Sequence, residues 1–425
     1  MMNQLPFTIV LLIVVSASFL GTTDSLSAPS SSFSTSSPNA NSNNNLTDQM
    51  HQAATAEAEK LFQFYNPSST TILRPPVVWQ SSEEASTYVK EHIDTVLFDC
   101  DGVLYRTQSQ CPGASECIQN LMHRDGKRVL FVTNNAGVNR RELRDKLSKL
   151  LGIDSLTTNQ MISSSYSSAR YLQRELLGPE TTNTENLQSK HRKRVHVIGS
   201  SGLCEELVAA GFEVTGGPNT TTEAGSMSRD ELSSYDFETS FSSIDALVVG
   251  HDTDLNFRKL CIADNLLLRN PKALFVATNL DSFDVVDGNE QDPRTRHILG
   301  NGATVVALEY SSKRKAINVG KPSQELFDLI QQADGDESLV ESSNQPQEPQ
   351  PEEPNTPPSG LGDPSRCLFV GDRLDTDIRF GRDNGMKSLL VMTGVTSAQT
   401  LQDLENGTEE EPLPDFVLPH VGMLV

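Results

Sequence analysis

An apolar run that ends in two acids sets the terms for this chain: Val96-Leu97-Phe98, then Asp99-Cys100-Asp101-Gly102. A short unbroken apolar run reads as a strand buried on both faces of a parallel sheet. Two carboxylates one residue apart cannot both enter a core, because an unpaired buried charge is too unfavourable. At the carboxyl end of a parallel strand they instead face the crevice where open α/β sheets take their ligands. Gly102 lets the backbone turn sharply after them. One Asp of such a pair can attack phosphorus and form an aspartyl-phosphate. The other can protonate the leaving oxygen and later activate water, and a metal ion can neutralise the crowded charge. An Asp-x-Asp-Gly stretch also suits an ordinary turn, so the rest of the chain has to decide.

The surrounding pattern alternates strands and helices. A helix is expected over 114–124 and a second strand over 128–132, ending in the polar Thr133-Asn134-Asn135. Helices are expected over 139–151 and 158–177. Such alternation implies a parallel sheet. Beyond Gly178 a second α/β unit interrupts the first, with strands over 195–198, 247–249 and 273–278 and helices over 202–210 and 257–269. A loop is expected over 217–243. A strand over 316–319 then leads into Gly320-Lys321-Pro322-Ser323 and a helix over 324–332. A strand over 367–370 precedes Gly371-Asp372-Arg373-Leu374-Asp375-Thr376-Asp377, and the helix after it ends at Asn384, with Gly385 suited to its cap. The last strands are expected over 388–392 and 415–418.

The two ends and the insertions differ in composition. Residues 5–15 are almost wholly apolar and Ser16-Ala17-Ser18 offers a small-residue cleavage site, so 1–20 reads as a signal peptide. The run is short for a membrane span. No Lys or Arg precedes it, and the first in the chain is Lys60, so an uncleaved anchor stands as the alternative. Residues 21–75 read as a disordered Ser/Thr/Asn-rich presequence, although 50–90 looks helical in part. Phe19 after the small-residue site resembles the bipartite leaders of algae with secondary plastids. The expected address is therefore the endomembrane system and onward to such a plastid, with secretion or the ER lumen as alternatives. Asn45, Asn219 and Asn406 sit in glycosylation triplets. Residues 334–364 are rich in Pro, Glu, Gln and Ser without Lys or Arg, and read as a disordered acidic insertion.

The basic run Lys190, Arg192, Lys193 and Arg194 has no interleaved aromatics, and the net charge of −22 argues against nucleic acid as a partner. Six scattered cysteines, with no Cys-x-x-Cys pair, are expected to be free thiols.

Four polar clusters thus fall at four expected strand ends: Asp99/Asp101, Thr133/Asn134, Lys321 and Asp372/Asp377. Each has an ordinary structural reading, as a helix cap, a surface lysine or a turn. Four in this order on one sheet edge make a coherent phosphoryl-transfer site. The strings "FDCDGVLY", "VLFVTNN", "VGKPS" and "FVGDRLDTDI" resemble the four motifs of haloacid-dehalogenase-superfamily phosphatases. "PGASECI", "VVGHDTDLNFRKL" and "INVGKPSQELFDLI" are similar to the phosphoglycolate/pyridoxal/4-nitrophenyl phosphatase group, which carries a large α/β cap.

The resemblance implies an α/β fold: a three-layer Rossmann-like parallel-sheet core with an inserted α/β cap domain. The core would comprise 76–178 and 316–425, and the cap 179–315. It implies Asp99 as nucleophile and Mg²⁺ ligand. It implies Asp101 as general acid/base, offering its backbone carbonyl to the metal, and Asp372 as a third Mg²⁺ ligand. Asp377 would support metal-bound water, and Thr133, Asn134, Asn135 and Lys321 would bind phosphate.

The partner expected is a small phosphorylated metabolite, with no nucleic acid, no stable membrane association once the leader is removed, and a homodimer through the cap as in some members. Mg²⁺-dependent hydrolysis of 2-phosphoglycolate to glycolate is the favoured activity. A broader 4-nitrophenyl, glycerol-phosphate, pyridoxal-phosphate or nucleotide phosphatase is the alternative within enzymes, and a catalytically silent scaffold the alternative outside them. Three departures bear on the substrate. His251 stands where members often carry Phe, and Ile298-Leu299-Gly300-Asn301-Gly302 departs from the usual loop. Asp284 stands where the pyridoxal-phosphate members carry His.

Overall fold

Seven parallel strands form the main sheet of the computed structural model. In spatial order they are Val77–Val78, Phe416–Leu418, Lys387–Val391, Cys367–Gly371, Thr95–Phe98, Arg128–Thr133 and Met161–Ser163. The structure describes residues 40–65, 76–178, 192–218, 225–237, 241, 243–287, 296–332, 361–405 and 411–425. The expected signal peptide and most of the expected 178–194 and 334–364 insertions lie outside these residues.

The central strand Thr95–Phe98 is buried throughout, and its side chains alternate between two cores. Val96 and Phe98 join Val129, Phe131, Leu368 and Val370 beneath Ile118, Leu143 and Leu147. Leu97 joins Leu130, Val132 and Phe369 beneath Leu326, Ile330 and Phe380. Helices therefore cover both faces, which is why the central strands carry apolar runs instead of an alternating pattern. Burying each large apolar side chain of these layers contributes about 2 kcal/mol.

A second parallel sheet belongs to the cap, in the order Ile317–Asn318, Leu274–Ala277, Ile244–Val249, Arg194–Ile198 and Glu213–Gly216. The helix Phe257–Arg269 begins where the Asn256 side chain accepts the Lys259 N–H, and it buries Ile262, Ala263, Leu266 and Leu267. A two-stranded antiparallel hairpin, Phe283–Asp287 with Arg296–Leu299, stands apart from both sheets.

Several expectations need correction. The strand expected over 316–319 is Ile317–Asn318, and it pairs with Val276 and Ala277 at the edge of the cap sheet. The chain therefore returns to the core only after it. The single helix expected over 158–177 is three pieces. A capping box of Thr157 and Gln160 closes a short turn, Met161–Ser163 pairs as an edge strand, and Ser163 then caps the helix Ser164–Leu172. The loop expected over 217–243 contains the helix Arg229–Ser234, started by a Ser228/Glu231 capping box.

Of the disordered presequence expected over 21–75, residues 40–64 are instead a helix, Ala40–Phe64, of which the partly helical reading of 50–90 caught the second half; 21–39 and 66–75 lie outside the described residues. Ala54, Ala58 and Leu61 share one helical face and, with Tyr65, are buried against Leu374, Ile378, Met392, Leu401 and Val417. The Glu57 carboxylate accepts the Ala398 N–H at 2.9 Å. His51 Nδ1 meets His420 Nε2 at 2.8 Å. Polar composition misled here, because Ala, Glu, Lys and Leu over 53–61 are strong helix formers and need only one apolar stripe to dock. Leu61→Ala is expected to lower stability by about 3 kcal/mol, read from the urea midpoint of the full chain.

Candidate active site

The carboxyl ends of the central strands deliver their acids to one buried cluster. Asp99 follows the strand Thr95–Phe98, and Asp372 follows Cys367–Gly371, its hydrogen-bonded neighbour. Lys321 reaches in from the segment beyond the cap sheet and is 2 % exposed. Its Nζ lies 2.5 Å from Asp99 Oδ1, 2.8 Å from Asp377 Oδ1 and 3.0 Å from the Val132 carbonyl. All three protons of the ammonium thus have acceptors. The other oxygen of Asp377 accepts the N–H groups of Asp372 and Arg373, each at 3.1 Å. Gly102 and Gly394 crowd the Asp372 carboxylate so closely that a Cβ at either would collide with it.

One ammonium cannot balance this set. Carboxylate oxygens of Asp99, Asp372 and Asp377 all lie within 4.8 Å of one another. Burial pushes the Asp99 carboxyl well above its ordinary range; Lys321 opposes this, while Asp377 and Asp372 add to it. Burial and the neighbouring Asp377 raise Asp372 to about 7, against the pull of the Val395 N–H. Burial alone would lower the Lys321 pKa, but Asp377 and Asp99 outweigh it and hold the ammonium charged. Asp372 Oδ2 accepts the Val395 N–H at 2.7 Å, whereas its buried Oδ1 has no hydrogen-bond partner. An orphaned carboxylate oxygen within an all-oxygen, net-negative cluster fits a hard divalent cation.

Asp101 turns away from this cluster. Its Oδ2 accepts the Tyr105 hydroxyl at 2.9 Å. Burial raises its pKa, opposed by Lys146 and by hydrogen bonds from Tyr105 and Asn135. A carboxyl raised by burial at the cavity wall is placed to exchange a proton there.

The Thr133 hydroxyl accepts the Asn135 N–H at 3.1 Å. The Asn134 side chain is committed to hydrogen bonds within the protein. Its Oδ1 accepts the Lys321 N–H at 2.8 Å, and its Nδ2 donates to Asp281 at 2.9 Å and to the Lys321 carbonyl at 3.3 Å. It is a splice between the core, the lysine segment and the cap.

These groups floor a cavity of about 290 Å³. His251 and Asp284, singled out from the sequence, both line it. The sequence reading missed Asn279, Asp281, Arg373 and Val395. Val395 was findable, because it follows the strand Lys387–Val391 at the same sheet edge. The stretch "FVATNLD" over 275–281 resembles the same phosphatase group and contains Asn279 and Asp281, but no role for either follows from it.

A haloacid dehalogenase-like hydrolase model matches residues 96–213, and a HAD-hydrolase-like model matches 318–424. Phosphoglycolate phosphatase 2 of Arabidopsis thaliana is 34 % identical over 350 residues, covering 82 % of this chain and 97 % of that protein. Chronophin of Bos taurus is 32 % identical over 330 residues, covering 78 % and 91 %. Among solved structures, the p-nitrophenyl phosphatase from Archaeoglobus fulgidus superposes with a TM-score of 0.56 at 24 % identity, covering 78 % and 98 %, which speaks to the fold.

The Asp372 carboxyl, at about 7 against an ordinary 3.8, holds a proton in the folded protein that the unfolded chain has lost. Stability of the metal-free protein therefore falls as pH rises from about 4 to about 7. Asp372→Asn removes this ionisation. In EDTA at pH 8 it is expected to raise Tm by about 5 °C, and at pH 4 to change it little; thermal scans at both pH values check this.

Proposed function

The chain belongs to the haloacid dehalogenase-like hydrolases and is a phosphatase; from that premise we propose that it hydrolyses a small phosphomonoester, 2-phosphoglycolate foremost, through an aspartyl-phosphate on Asp99. The observation that carries the reading is the Asp99 carboxylate held by one oxygen on Lys321, with Asp101 beside it under the Tyr105 hydroxyl.

Lys321 fixes the Asp99 carboxylate so that its other oxygen attacks phosphorus in line with the leaving oxygen. Asp101 gives its proton to that oxygen, and the alcohol leaves; from 2-phosphoglycolate it is glycolate. Asp101, now a carboxylate, takes a proton from water. The hydroxide formed attacks the phosphorus of the aspartyl-phosphate, and phosphate departs with Asp99 restored. Thr133 and the Lys321 ammonium stabilise the charge that gathers on the phosphoryl oxygens. A Mg²⁺ ion would be held by the side chains of Asp99 and Asp372 and the Asp101 carbonyl, with Asp377 supporting its water. When bound it would neutralise the carboxylate surplus and polarise the phosphoryl group.

Two features favour the substrate. The cavity of about 290 Å³ lies at the small end of ligand sites, which suits a two-carbon phosphate better than a nucleotide. The chain also shares 34 % identity with a protein named phosphoglycolate phosphatase.

Asp99→Asn is expected to lower kcat at least about a thousandfold while far-UV circular dichroism stays unchanged. Stripping Mg²⁺ with EDTA is expected to abolish turnover, and added Mg²⁺ to restore it. In a panel with glycerol 3-phosphate, pyridoxal phosphate, a nucleoside monophosphate and 4-nitrophenyl phosphate, 2-phosphoglycolate is expected to lead in kcat/KM by about tenfold or more, some 1.4 kcal/mol at the transition state. A flat panel would overturn the substrate and leave the reaction class standing.

A further inference from the structure

The cap hairpin is tied to the core by a residue the chemistry above does not use. Arg373 immediately follows Asp372. Its Nη1 donates to the Phe283 carbonyl at 3.2 Å, and its guanidinium lies 5.1 Å from the centre of the Phe283 ring. The same ring stacks on His297 at 4.3 Å, with 6° between the planes. His297 sits opposite Val285 on the returning strand, so both strands of the hairpin are drawn in. On the core side Nε and Nη2 of Arg373 grip Asp375 at 3.1 and 2.8 Å. Asp281, two residues before Phe283, attracts the guanidinium and is itself held by Asn134. A planar fork of five donors can hold a carbonyl and both oxygens of a carboxylate and face a ring at once, whereas an ammonium cannot reproduce that geometry.

We propose that Arg373 is a positioning residue that clamps the hairpin Phe283–Asp287/Arg296–Leu299 onto the core, so that Phe283, Asp284 and Leu299 wall the cavity above Asp99 and Asp372. The guanidinium donates to Phe283 and Asp375 and not to Asp99, so it acts through the hairpin. Releasing it opens the wall and weakens substrate retention, while the attacking carboxylate and its lysine stay in place.

The test uses Arg373→Lys and Phe283→Leu in the full chain, separately and together. Hydrogen exchange of the metal-free protein is expected to speed up about tenfold in the hairpin amides of each variant, with the main-sheet amides unchanged. For 4-nitrophenyl phosphate, KM is expected to rise about tenfold and kcat to stay within about threefold. The double variant is expected to be hardly worse than Arg373→Lys alone, because the guanidinium–ring contact that Phe283→Leu removes is already lost there. Unchanged hairpin exchange, or KM effects that multiply, would overturn the clamp. If Arg373→Lys does not fold, hairpin exchange in Phe283→Leu decides alone. Only the kinetic arm rests on the phosphatase reading. Absence of wild-type turnover would count against that reading, and the exchange arm would still decide the clamp.

Discussion

Three carboxylates share one ammonium at the mouth of the main sheet, and much of the structure answers to that arrangement. A buried ion pair stabilises a fold only when every remaining lone pair and proton is satisfied. Lys321 meets this condition with two carboxylates and the Val132 carbonyl. Asp377 meets it with Lys321 and two backbone N–H groups. Asp372 does not, because one of its oxygens has no partner. The unfavourable energy is concentrated where a cation would relieve it, a common compromise between stability and function.

The lysine that anchors this cluster arrives from the cap side of the chain. It lies three residues beyond the edge strand Ile317–Asn318, which is paired to the cap sheet. Asn134 binds both main-chain groups of Lys321 and also reaches Asp281. Asn279 adds a hydrogen bond to the Asn134 carbonyl at 2.8 Å. The loop after Thr133, the lysine and the cap therefore form one polar network. Arg373 makes a second connection on the other side, from the loop after Asp372 to the hairpin.

Elements with long periodic signals matched their sequence reading. The helices Phe257–Arg269 and Gln324–Gln332 begin beside the Asn256 and Ser323 hydrogen bonds that a sequence can announce. The central strands follow from unbroken apolar runs. Edge pieces such as Val77–Val78 and Met161–Ser163 were missed, because two or three residues carry no period and their pairing comes from a distant neighbour. The first half of the helix Ala40–Phe64, and the docking of the whole, were hidden for a different reason. Its composition is polar, and its stability comes from the apolar groove formed by Leu374, Ile378 and Leu401 far along the chain.

The sequence by itself determined the chemical inventory: two acids after a buried strand, a threonine, a lysine and two further acids, in an order that fits phosphoryl transfer. Strand burial and turn chemistry are local, so the positions of the acids and the threonine at the sheet edge could be read directly, whereas Lys321 arrives from the cap sheet instead. Which groups meet was decided only by the tertiary structure. Lys321 and Asp99 are 222 positions apart, Asn134 and Asp281 147, and Arg373 and Phe283 90. Contacts at such separations follow from sheet order and from the crossing between cap and core, which no local propensity encodes. That is why the lysine's grip on two carboxylates, the splice through Asn134 and the arginine fork on the hairpin became visible only in three dimensions.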